Sequence, residues 1–174
     1  MDNEYLHVAP TTLDELRRLA TTGMLYAMID ACDAGAVPFK MRELGPERAA
    51  CMYSGKAEEA YWDFAPYLAT ADAGLLDWIV ATLWKGPWGF FAVTETNLAT
   101  VRTHFKRFTF ATMPDGQQVY FRYYDPRILP VFLENADRAE LSQFFGPVRT
   151  FIVAGKWPAQ DVMQRYSHLP GGRT

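Results

Sequence analysis

Trp88-Gly89-Phe90-Phe91-Ala92-Val93 is an unbroken apolar run of strand length, entered from Gly86-Pro87. A run apolar at every position, bounded by turn residues, predicts a buried central strand. Just upstream, Asp72 opens a helix whose stripe is Leu75, Leu76, Ile79, Val80 and Leu83, and Gly86-Pro87 stops it. Further upstream, residues 24–29 (Met-Leu-Tyr-Ala-Met-Ile) form a second buried strand of the same kind. Ahead of them, Thr12-Leu13-Asp14-Glu15 is a capping box, followed by Leu16 and Leu19 and closed by Gly23. Residues 49–53 form a weaker strand. Ser54 then caps a helix with Ala57, Ala60, Tyr61 and Phe64 on one face, which Pro66 ends or kinks.

Downstream of the central run, Leu98, Val101, Phe105 and Phe108 recur at helical spacing. Pro114-Asp115-Gly116 separates two β-prone runs, 108–113 and 119–124, which predicts a hairpin, with 119–124 contributing a core strand. Asp125-Pro126 is a helix start, and Pro130 requires that the helix begin late or be distorted. Asp137-Arg138-Ala139-Glu140 is another capping box, closed by Gly146-Pro147. Residues 148–154 form the last expected strand, and the polar segment ending Pro170-Gly171-Gly172-Arg173-Thr174 is expected to be loose. Alternating strands and helices with one inserted hairpin predict a single α/β domain, a mixed sheet covered by helices, over residues 1–155, with a short tail over 156–174.

The 174 residues are 49% apolar and 15% aromatic, enough for a real core, which excludes wholesale disorder. Seventeen lysines and arginines against 20 acids leave a net charge of -3, which disfavours a general nucleic-acid binder. The acidic start Met1-Asp2-Asn3-Glu4 is unlike a signal peptide, and no apolar run approaches the roughly 20 residues of a membrane helix. Two cysteines without a CxxC suit a reducing compartment, so a cytoplasmic location is expected. Charge is uneven: residues 30–77 carry nine acids and four bases, whereas 101–127 carry five bases and two acids. That pattern fits solvated helix faces or a polarised docking surface.

Catalytic signals are sparse. His7, His104 and His168 lack metal-ligand spacing, and His104, beside Arg102, Lys106 and Arg107, is expected at the surface or its boundary. Cys51 reads as a small buried hydrophobe, and the acids flanking Cys32 disfavour its thiolate. No serine lies in a nucleophile elbow, and Gly55-Lys56 and Gly155-Lys156 lack the rest of a phosphate loop. Glu58-Glu59 read as solvated. Asp30, at the end of a strand, is the best lone carboxylate, as a site residue or as a turn or helix cap. No cofactor is expected.

The densest cluster is Tyr120-Phe121-Arg122-Tyr123-Tyr124-Asp125-Pro126-Arg127. Strand alternation puts Tyr120, Arg122 and Tyr124 on one face, a composition common at protein interfaces. Alternatively, Arg122 or Arg127 pairs structurally with Asp125 or Asp30.

Five segments occur in series: 25–31, Ala65-Pro66-Tyr67-Leu68, Trp88-Gly89-Phe90-Phe91, 121–129 and Phe144-Phe145-Gly146-Pro147-Val148. Together they resemble the type VI secretion effector chaperone family, also called Tap or TEC adaptors, over about residues 24–153. The resemblance implies a non-enzymatic cytoplasmic adaptor that binds a toxic effector and helps load it onto the spike protein VgrG. It carries no catalytic residues. Many members continue into a longer helical C-terminal region, whereas residues 155–174 alone follow the last expected strand here. Cargo recognition is then expected to use the domain itself, the short tail, or a part outside this chain. The expected partner-binding residues are Tyr120, Arg122, Tyr124 and Arg127, with Arg102 and Lys106 nearby. Two other readings remain at this point, a small enzyme centred on Asp30 and His104 and a toxin-neutralising protein.

Overall fold

The computed structural model describes residues 3–112, 115–154 and 163–172. Strands β2 (Leu25–Asp30) and β5 (Gly89–Val93) bury every side chain, and successive side chains enter different cores. Leu25, Ala27, Ile29, Phe91 and Val93 face one core. Tyr26, Met28, Phe90 and Ala92 face the other. The period-two alternation of a strand thus divides one apolar run between two layers.

Around this pair lie β1 (Leu6–Thr11), β3 (Ala49–Cys51), β4 (Pro66–Thr70), β8 (Thr150–Ala154) and β9 (Met163–His168). The seven strands run β1-β9-β8-β5-β2-β4-β3, and each ladder is antiparallel. The first core is closed by α1 (Leu13–Ala20), α2 (Ala36–Leu44) and α4 (Ala73–Thr82). The second is closed by α5 (Leu98–Lys106), α6 (Leu129–Asn135) and α7 (Arg138–Phe145). The molecule is therefore an α/β domain with one sheet covered by helices, as the alternation of sequence signals predicts.

Both capping boxes form. The Glu15 amide donates to Thr12 Oγ1 at 3.3 Å and the Thr12 amide to Glu15 Oε2 at 3.0 Å. Asp137 and Glu140 make the same exchange at 2.8 Å in each direction. Asp72 caps α4 through the Leu75 amide. Each such cap contributes about 1 kcal/mol, which matters for helices of eight to ten residues.

Several expectations change. Pro66 is not what ends the preceding helix, which already closes at Tyr61; it begins β4, where a proline without an N–H is tolerated as the first strand residue. Residues 148–154 do not supply the last strand. β9 follows, inserted between β1 and β8, although only its Met163 and Tyr166 are buried. Two flanking ladders hold a strand that is too polar to announce itself. Residues 155–162, where the sequence places the domain's end, and 173–174 lie outside the described residues.

The 119–124 run is not a core strand. The hairpin does form, as β6 (Phe110–Thr112) and β7 (Gln118–Tyr120), but as a separate two-stranded sheet. Met113 and Pro114, between these strands in the sequence, lie outside the described residues. Pairing fades after the Phe121 amide meets Thr109 O at 2.9 Å, because the chain turns there to bond Asp125 N to Arg122 O. α3 (Lys56–Tyr61) starts after Gly55 and buries none of its side chains, so its expected apolar face does not join either core. The helix after Asp125 begins late, at Leu129, with Pro130 in the first turn, where its missing N–H breaks no helical bond.

Candidate functional site

β2 carries Asp30 to the end of the sheet where β3 also stops, and this end gathers the polar cluster. Asp30 is only 6% exposed. Its Oδ1 accepts from the Cys32 amide at 3.0 Å and its Oδ2 from Arg122 at 2.8 Å. Burial pushes this carboxyl above its ordinary range, against the opposing pull of the Cys32 amide and Arg122. The Arg122 guanidinium also lies 5.7 Å from the Tyr124 ring centroid. Its buried Nε has no hydrogen-bond partner among the described residues.

Tyr124 packs edge-on against Tyr120 and Tyr123, with centroids 6.4 and 5.6 Å apart. The Tyr120 hydroxyl donates to Tyr53 at 3.2 Å. Burial raises all of these phenols, Tyr124 to about 12, so they stay neutral donors. From α5, Arg102 reaches the outward carbonyls of Cys51 and Tyr53 at 2.8 and 3.0 Å, and Lys106 donates to Ser54 Oγ. The bond to Cys51 covers the end of β3's free edge, a device that blunts an exposed strand edge, and the other two hold the chain just beyond it.

Five of the six expected partner-binding residues thus join one cluster: Tyr120 and Arg102 bond Tyr53, Tyr124 packs on Tyr120, Arg122 lies against Tyr124, and Lys106 bonds the neighbouring Ser54. The sixth, Arg127, turns to Asp125 in a two-pronged pair at 2.9 and 2.6 Å. Burial works upward on the Asp125 carboxyl, but the Arg127 bonds and charge outweigh it and hold it below its ordinary range. Strand alternation does not describe this segment. Because pairing ends at Tyr120, Tyr123, Tyr124 and Asp125 are all buried, while Tyr120 and Arg127 remain at the surface. The cluster is part core and part surface.

The hairpin adds residues that sequence reading did not single out. Phe110 is 59% exposed and meets Tyr120 edge-on at 5.6 Å, and Val119 beside it is exposed. The apolar character of the two hairpin runs was the available signal. Tyr53 carried none, since its role arises only from folding.

His104 is not a surface residue. It is 7% exposed, and its Nε2 lies 2.8 Å from Phe144 O, which makes that nitrogen the protonated one. Val101, His104, Phe105 and Phe108 share one helical face, so the spacing that buries its neighbours buries it too. Burial lowers its pKa. Asp30 and His104 therefore answer to separate partners. Cys32 is exposed, and Cys51 is buried with its thiol pushed up by burial. Among the described residues no three His, Cys, Asp or Glu side chains are grouped to hold a metal, and no helix is long and apolar enough to cross a membrane.

No curated protein and no solved structure matches the chain. Residues 25–143 match a family described as Domain of unknown function (DUF4123). That span runs from β2 into α7 and takes in the hairpin, the Asp30–Arg122 pair and the Asp125–Arg127 pair. It exceeds half of the sequence, and the chain belongs to the DUF4123 family.

Proposed function

We propose that this protein is a non-enzymatic adaptor of type VI secretion, which binds a toxic effector in the cytoplasm and helps load it onto the VgrG spike. The DUF4123 family is linked to type VI effector loading, and the segments over residues 24–153 resemble its adaptors. The observation that carries the reading is the hairpin. β6 and β7 stand outside the main sheet and expose Phe110, Val119 and Tyr120, with Lys106 and Arg107 at the adjoining end of α5. A two-stranded sheet is marginal alone, and exposed aromatics beside cations suit a protein partner. In this reading Arg122, Tyr124 and Arg127 hold the platform, while Tyr120, Arg102 and Lys106 border the contact. Neither cofactor, nucleic acid nor membrane is required.

Affinity capture from the native cell, with partners identified by mass spectrometry, should recover an effector together with VgrG. A toxin alone would favour the neutralising reading. Calorimetry with the recovered effector then tests the surface. Phe110→Ser and Tyr120→Ala should melt cooperatively and each lose roughly thirtyfold in affinity, the scale of an interface hot spot of about 2 kcal/mol. Unchanged affinity in both would remove the hairpin from the interface.

A further inference from the structure

α3 is a six-residue helix that buries none of its side chains and has no side-chain cap. Short helices are held by packing rather than by propensity, so a helix with nothing buried lacks its usual support. The chain just beyond it is nevertheless apolar: Tyr61 and Phe64 are each 59% exposed. Across from them Phe39, on α2, is 64% exposed. Trp62 links the two elements, edge-on to Phe39 at 6.0 Å and covered by the Arg42 guanidinium at 3.5 Å. Together they frame a pocket of about 420 Å³ lined by Pro38, Phe39, Trp62 and Phe64, with Asp33 and Asp63 also in its lining. No lysine or arginine lines it.

Asp33 adds a second observation. Its φ of 63° is the left-handed region, which glycine, asparagine and aspartate adopt most readily. The backbone conformation alone does not call for a carboxylate at this position. With Asp63, it gives an aromatic pocket an acidic border.

We propose that this pocket docks a basic, apolar-anchored segment of a partner protein. One large apolar side chain enters between Phe39 and Phe64, and flanking lysines or arginines meet Asp33 and Asp63. The charge decides against two other occupants. A second copy placed face to face would bring these carboxylates together, and a nucleic acid would be repelled by them. The pocket lies on the α2 side of the sheet, whereas the hairpin adjoins α5 on the other. It therefore stands apart from the adaptor reading, and either surface can fail its test without the other.

The probe is a fluorescein-labelled peptide with a Leu-Phe-Leu core flanked on each side by two lysines, compared with a glutamate-flanked counterpart. Anisotropy against the full chain should show the lysine peptide binding at least about tenfold more tightly, a gap that narrows at high salt. Amide shifts on titration should centre on residues 31–39 and 62–64. Asp33→Asn with Asp63→Asn, which keeps the left-handed backbone comfortable, should weaken the lysine peptide roughly fivefold. Phe39→Ser should weaken it roughly thirtyfold while melting like the parent, because this side chain is mostly in water. Equal affinity for the two peptides, shifts centred elsewhere, or indifference to all three substitutions would overturn the proposal. So would a concentration-dependent dimer abolished by Phe39→Ser, which would assign the pocket to a second copy.

Discussion

Removing the Arg122 side chain separates its structural role from its role in binding. In Arg122→Ala the Asp30 carboxylate, whose side chain is 8% exposed, keeps the Cys32 amide as its one hydrogen-bond partner among the described residues. Stripping one member from a fully buried ion pair costs about 3–5 kcal/mol. Here the Arg122 side chain is 41% exposed, so water screens the pair and hydrates the gap, and we expect about 1–3 kcal/mol at neutral pH. The loss should carry a pH signature. Burial already raises the folded Asp30 carboxyl, and Arg122 is among the influences holding it down, so the variant raises it further. A folded pKa above the unfolded value gives stability that is full below the unfolded pKa and is lost as pH rises through the folded one. The deficit of Arg122→Ala relative to the parent should therefore be smallest near pH 4, about the pKa of an unfolded aspartate, and grow toward neutrality. Urea unfolding at a series of pH values measures it, with Asp30→Asn/Arg122→Ala as the control that removes the stranded charge. A deficit flat in pH, with no recovery in the double variant, would refute the electrostatic account and leave packing on Tyr124 as the role of Arg122.

Gly89→Ala should abolish soluble folded protein or cost at least about 4 kcal/mol, because a Cβ there would lie 1.9 Å from Met28 O in the β2–β5 ladder, at a φ of 146°; a parent-like melting temperature would contradict the pairing. His104 is held neutral by burial, so its folded pKa lies below the unfolded one. Its contribution is full above the unfolded value of about 6.5 and is lost as pH falls through the folded one, so calorimetric melting should decline on acidification and decline less in His104→Gln. Parallel curves for the two proteins would remove His104 as the source.

Residues 88–93 and 24–29 are apolar at every position, of strand length and bounded by turn residues, which favours a doubly covered strand, so the core of the sheet was readable. The capping boxes at Thr12 and Asp137 were readable because a cap bonds within three residues of chain. β9 was not, since Met163 and Tyr166 become buried only when two distant strands flank them. The same limit hid the burial of Tyr124. Period-two alternation holds while a strand is paired, and where the pairing of β7 stops is set by the turn at Arg122–Asp125 and by packing against α5 and α7, not by local composition. The candidate residues Tyr120, Arg122, Arg102 and Lys106 could be named from their types alone. Their gathering beside Tyr53 and Ser54, and the choice of Asp30 over Asp125 as the partner of Arg122, join positions 49 to 92 residues apart. Local propensity and hydrophobic period act over a few residues. Contacts between groups so distant in the chain exist only once the sheet has brought its strand ends together, so the sequence determined the layers and the tertiary structure decided the site.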